Sequence, residues 1–201
     1  MIFGIAGMFF GVLVGWIVGS QQGAAPRTPA APASAPAATS GQSTATPLDE
    51  SRVASLAKDA ERNPRDANVR LELGNLYFDS ERFEDAARWY EQALGLEPRN
   101  VNASTDLGIS YYYMNQPDRA LQQFDRSLAI DPRHTKTLLN VGIVRAFAKD
   151  DLQGAAQAWQ QVVDVAPDSP EGKRAKQALE SLRNAHPNVG SGASGKAPGS
   201  S

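Results

Sequence analysis

Apolar residues recur through residues 48–186 at the spacing of amphipathic helices, and proline breaks the runs at Pro64, Pro98, Pro132 and Pro167. These prolines stand 34, 34 and 35 residues apart. Each interval holds two helix-period stretches. The first predicts a helix from Ala67 to Ser80, with Leu71, Leu73, Leu76 and Tyr77 as its apolar positions, and another from Phe83 to Leu96. The second interval predicts Ala103 to Asn115 and Pro117 to Ile130; the third predicts Thr137 to Lys149 and Leu152 to Val165. The third interval carries one extra residue, which this reading assigns to the Lys149-Asp150-Asp151 turn. Flanking helices are predicted from Asp49 to Glu61 and from Pro170 to His186. The latter has Ser169 as N-cap, with Ala175, Ala178, Leu179 and Leu182 facing inward.

Ahead of this region the pattern changes. Residues 1–19 contain no charged side chain, and the first charge is Arg27. From Ile2 to Val18 a helix would span roughly 26 Å, enough for a bilayer core. No Lys or Arg precedes the apolar run and no clear cleavage site comes after it, so an anchoring transmembrane helix is expected rather than a removed signal. Gly7, Gly11, Gly15 and Gly19 form a stripe at four-residue spacing, a pattern that lets two membrane helices approach and points to homodimer formation through this segment or to docking on another membrane helix. Residues 20–47 are mostly Pro, Ala, Ser, Thr and Gly, a composition that predicts a disordered spacer; residues 187–201 predict a disordered tail. Arg27 favours a cytoplasmic location for the repeats, and the linker composition favours the exterior, periplasmic side. The expectation is a single-pass protein of the cytoplasmic (inner) membrane, with the balance tipped to an exterior repeat domain.

Composition excludes more than it assigns. The chain of 201 residues has formal net charge −2, too little to draw it to nucleic acid. It has no cysteine and only two histidines, His134 and His186. His134 reads as a solvated turn residue. No phosphate-binding loop, nucleophile elbow or metal-ligand spacing occurs, so no enzyme activity, cofactor or metal is expected.

Within the repeats, Leu73-Gly74 with Tyr77, Ala86, Tyr90 and Pro98 recurs as Leu107-Gly108 with Tyr111, Ala120, Phe124 and Pro132, and more loosely as Val141-Gly142, Ala155, Trp159 and Pro167. This resembles the tetratricopeptide repeat family, over about 100 residues strictly and about 135 with the flanking helices. The resemblance implies an all-α, right-handed superhelix of three helix pairs (about 67–100, 101–134 and 135–169) with a capping helix at 170–186. It implies that the first helix of each pair lines a concave groove that binds a protein or peptide segment. The positions carried over are Asn68, Leu71, Asn75, Phe78 and Asp79, then Asn102, Thr105, Ile109, Tyr112 and Tyr113, then Lys136, Leu139, Ile143, Ala146 and Phe147. A variant of the family grips chaperone C-terminal carboxylates with a Lys/Asn/Arg clamp. Asn75 and Lys136 match that clamp, whereas Leu71, Asp106 and Asn140 depart from it. The expected function is a membrane-tethered adaptor or scaffold in envelope protein assembly or maturation; the alternative is a structural homo-oligomer assembled through the glycine stripe.

Overall fold

The computed structural model describes residues 46–189, which form eight α-helices. These are α1 (Glu50–Arg62), α2 (Ala67–Asp79), α3 (Phe83–Leu96), α4 (Val101–Tyr113), α5 (Pro117–Ile130), α6 (Thr135–Ala148), α7 (Leu152–Val165) and α8 (Pro170–Ala185). The expected membrane helix with its glycine stripe, nearly all of the spacer and the last twelve residues lie outside the described residues. Among the described residues, no helix is long and apolar enough to cross a membrane.

Each proline builds the same joint. The N–H of Asp66, Asn100, His134 and Ser169 bonds to the carbonyl of Asn63, Glu97, Asp131 and Ala166 respectively, at 3.0 to 3.3 Å. Each is a four-residue turn with proline second, where its fixed φ fits. The fourth residue of the turn then becomes the N-cap of the next helix. Asp66 accepts from the Asn68 N–H at 2.9 Å, Asn100 from Ala103 at 3.0 Å and Ser169 from Gly172 at 2.9 Å. One tetrapeptide thus stops one helix and starts the next.

Packing runs pair by pair. Within each pair the two helices meet at a glycine facing an aromatic ring: Gly74 on Tyr90, Gly108 on Phe124, Gly142 on Trp159. The rings are buried, and the Trp159 indole N–H donates to the Leu139 carbonyl at 3.2 Å. Tyr90, Leu107, Tyr111, Phe124 and Val144 form a central core. Leu138, Leu139, Trp159, Val162, Leu179 and Leu182 form a second beneath α8. Val53, Leu56 and Ala60 of α1 close the other end over Leu73. The inward face predicted for α8 is the one observed, with Lys173, Arg174, Lys176, Glu180 and Arg183 exposed.

Two sequence expectations are corrected. Helices α4 and α6 begin at Val101 and Thr135, each two residues ahead of the expected start, because the proline turn delivers the cap directly. The extra residue of the third interval is not in the turn. All three turns between paired helices have three residues, with Glu81, Asn115 and Asp150 at left-handed φ of 57°, 57° and 53°. The extra residue lengthens α6: the closing bond runs from Asp151 N–H to the Arg145 carbonyl, where its counterparts run from Arg82 to Tyr77 and from Gln116 to Tyr111. Helix α6 therefore has 14 residues against 13 for α2 and α4.

Candidate partner-binding groove

The residues carried over from the repeat pattern lie on α2, α4 and α6, and the structure sorts them into three kinds. Asn68, Asn75, Asp79, Asn102, Tyr113 and Phe147 are exposed. Leu71, Phe78, Ile109, Tyr112, Lys136, Ile143 and Ala146 are half-buried, each with part of its surface open. Thr105 and Leu139, at 0% and 6% exposure, offer no surface to a partner.

The burial of these two has a physical cause. The Thr105 hydroxyl donates to the Val101 carbonyl at 2.8 Å and lies 2.7 Å from the Thr137 hydroxyl and 3.2 Å from that of Ser127. A small polar knot thus joins the second repeat to the third. Leu139 is held by the second core, and its carbonyl receives the Trp159 indole. His134 belongs to the same knot and is not a solvated turn residue. Its Nδ1 lies 2.7 Å from Thr137 Oγ1, and its Nε2 lies 3.1 Å from Asn102 Oδ1. Because that Asn102 oxygen is an acceptor, Nε2 carries the proton. Burial holds the imidazole pKa below its ordinary value, against the carboxylates of Asp131, Asp106 and Glu171, which act the other way, and with Lys136, which adds to the lowering.

The two residues that match the carboxylate clamp are both engaged inside the chain. Lys136 Nζ lies 2.5 Å from Asp106 Oδ1, so its charge is met by a residue that stands at a clamp position. Asn75 Oδ1 accepts from the Tyr90 hydroxyl at 2.8 Å, which satisfies that buried phenol. Burial raises the Tyr90 pKa further above the usual tyrosine range. Among the described residues, the one cation that matches the clamp pattern, Lys136, is thus already paired with Asp106.

Where α2 and α4 end, aromatic rings gather. Phe83 and Tyr113 stack with centroids 4.5 Å apart and planes at 10°. Phe78 meets both edge-on, at 5.3 and 6.0 Å, and Tyr112 lies 5.8 Å from Tyr113. Tyr113 is 48% exposed; Phe147, at the equivalent position of α6, is 61% exposed. Phe83, the first residue of α3, is the member the sequence pattern does not mark as a groove residue. The available signal is an aromatic at the start of a helix whose counterparts are Pro117 and Leu152. A cleft of about 520 Å³ also opens between α3, α4 and α5, beside Glu91, Tyr111, Gln123 and Arg126. There the Tyr111 hydroxyl donates to Glu91 and accepts from Arg119, which also covers its ring at 4.0 Å. These contacts occupy the polar atoms of Tyr111. Among the described residues no cluster of His, Asp or Glu is disposed to hold a metal ion.

Two family models match the chain: one described as "TPR repeat" over residues 74–115 and one described as "Tetratricopeptide repeat" over 105–170. Comparison with the curated proteins finds no match. Among solved structures the fold is similar to that of MamA, at 18% identity and a TM-score of 0.60, covering 66% of this chain and 75% of that one. It is also similar to the first TPR of Spaghetti (RPAP3) bound to the HSP90 peptide SRMEEVD, at 24% identity and 0.54, covering 59% and 91%. The Arabidopsis OM64 TPR domain matches at 20% identity and 0.53, covering 57% and 94%. At such identities these likenesses speak for the fold alone. Residues 74–170 of this chain, with their glycine–aromatic pairs and repeated proline turn, thus match the tetratricopeptide repeat models.

Proposed function

We propose that the repeat region is a protein-interaction module that takes a segment of a partner along α2, α4 and α6. One observation carries this reading: Tyr113 and Phe147 are large rings left open to water at the same position of consecutive repeats. A solenoid that needed no partner there would gain by making these positions polar. The exposed amide of Asn68, and the amide nitrogen of Asn102 whose oxygen is held by His134, add groups able to pair with a peptide backbone. A related fold has been solved with a peptide bound, that of Spaghetti (RPAP3).

The reading extends to tethering. The uncharged residues 1–19 anchor the chain in a membrane, and residues 20–47 hold the repeats away from it. Extended, those 28 residues reach up to roughly 85 Å at ~3.1 Å each. The repeats would then hold a partner near that membrane, as an adaptor in envelope protein assembly or maturation.

The test uses the full chain as bait. Asn68→Ala with Phe147→Ala removes two exposed groups and leaves the core intact. Partner capture is expected to fall while the thermal midpoint holds; unchanged capture by the folded double variant refutes the groove. Deleting residues 2–19 is expected to move the protein from the membrane fraction to the soluble one. A membrane fraction that retains the deleted chain refutes tethering.

A further inference from the structure

The amide of Asn75 is held in one orientation from inside the fold. Its oxygen accepts from the Tyr90 hydroxyl at 2.8 Å, and that phenol is 2% exposed with no other hydrogen-bond partner among the described residues. Turning the amide over would leave the phenol proton unmatched, so Tyr90 fixes Asn75 with its nitrogen outward. Asn75 is exposed, and its two N–H groups are not engaged among the described residues. It therefore presents donors alone, which suit a carbonyl oxygen. Rings lie beside it. Phe78 follows Asn75 by three residues on α2, which makes the two neighbours on the helix surface. Phe78 meets Tyr113 edge-on at 6.0 Å, and Tyr113 is stacked on Phe83. Stacking fixes the Tyr113 ring while 48% of the residue stays open. One repeat further on, Phe147 is 61% exposed.

A segment laid across these groups meets a donor and then two rings. A helical segment has its carbonyls engaged in its own ladder and leaves the Asn75 amide unmet. An extended segment has them free, and the polyproline II form makes no internal hydrogen bonds. We propose that the groove takes an extended, proline-rich segment of a partner in the polyproline II form, with one carbonyl on the Asn75 amide and prolines on Tyr113 and Phe147. Proline has no N–H to leave unpaired, its ring packs on aromatic faces, and the preformed chain loses little entropy on binding. The repeat sets the register. Neighbouring helices lie roughly 10 Å apart, and three residues of polyproline II span about 9 Å, so prolines three residues apart reach consecutive repeats. The site rests on the groove reading and deepens it, by naming the class of segment that the groove accepts.

A bead-displayed library of random ten-residue peptides, selected against the full chain, separates the two ideas. Proline is expected to be enriched about fivefold in the selected pool, with pairs three residues apart the most frequent. Asn75→Asp keeps the oxygen that Tyr90 needs and removes the donors. It is expected to weaken the selected peptides about tenfold, with folding checked by the thermal midpoint. The proline site is overturned, and the groove left standing, if the pool depends on Asn68 and Phe147 but proline stays at its input frequency. The same holds if the selected peptides bind the folded Asn75→Asp variant with undiminished affinity. A pool indifferent to Asn68→Ala with Phe147→Ala, or no selected peptide at all, overturns both.

Discussion

A Cβ atom placed on Gly108 would lie 2.5 Å from Cε1 of the Phe124 ring, a separation that no real pair of carbons sustains. The ring is fully buried and has nowhere to move. Gly108→Ala is therefore expected to lower stability by about 2 kcal/mol, the overpacking cost exceeding the helix propensity that alanine adds. Gly95 is the control: it lies in α3 with nothing within 4 Å of its built Cβ, so Gly95→Ala is expected to raise stability by about 0.5 kcal/mol. Urea denaturation of the two variants checks both signs.

The left-handed turn gives a second stability test. Glu81→Asn places at φ 57° the residue type found at the equivalent Asn115. Stability is expected to rise by about 0.5–1 kcal/mol, read from the urea midpoint at unchanged slope. A fall would show that the Glu81 carboxylate contributes more to the folded state than its backbone conformation costs.

His134 predicts a pH dependence whose sign is fixed by its environment. Burial holds its folded pKa below the ordinary 6.5. The unfolded chain then takes up the proton first as pH falls. The contribution is complete above pH 6.5 and is lost as pH drops from there through the folded pKa. His134→Gln is expected to flatten the stability profile between about pH 5 and 7 while lowering stability at neutral pH, because the contacts to Thr137 and Asn102 go. A parallel profile for the variant would place the titration elsewhere.

The Lys136–Asp106 pair predicts selectivity. Peptides selected by the chain are expected to bind equally well with a free or an amidated C-terminus, because Asp106 already meets the one clamp-like cation. Asp106→Asn frees Lys136 and is expected to favour the free carboxylate by about threefold, a modest gain for a partly exposed charge. Fluorescence anisotropy with matched peptides measures it. A preference for the free carboxylate in the unaltered chain would mean that Lys136 leaves Asp106 on binding.

Much of the fold is legible in the sequence because it is written locally. The spacing of Pro64, Pro98, Pro132 and Pro167, and the recurrence of Gly74 and Gly108 before Tyr90 and Phe124, encode turns and close pairs within one repeat. What the sequence hides depends on contacts between repeats. Thr105 occupies a position that would face the groove, yet its hydroxyl is drawn inward by Thr137, 32 residues away. His134 reads as turn punctuation because Asn102 and Thr137 become its neighbours only when the repeats stack. The extra residue of the third interval reads as part of the turn, since nothing in Lys149-Asp150-Asp151 signals that α6 absorbs it before the left-handed residue. Phe83 enters the aromatic cluster only when α3 is set beside Tyr113.

The central claim is that α2, α4 and α6 form the partner-binding face. The most direct measurement places a photoreactive phenylalanine analogue at Tyr113, Phe147, Leu96 or Ala129 of the full chain, one site at a time, with irradiation in living cells and mass-spectrometric sequencing of the adducts. The account predicts one shared partner segment at positions 113 and 147, and no such adduct at 96 and 129 on α3 and α5. Adducts confined to positions 96 and 129 would contradict it and move the interaction to the opposite helices of each pair.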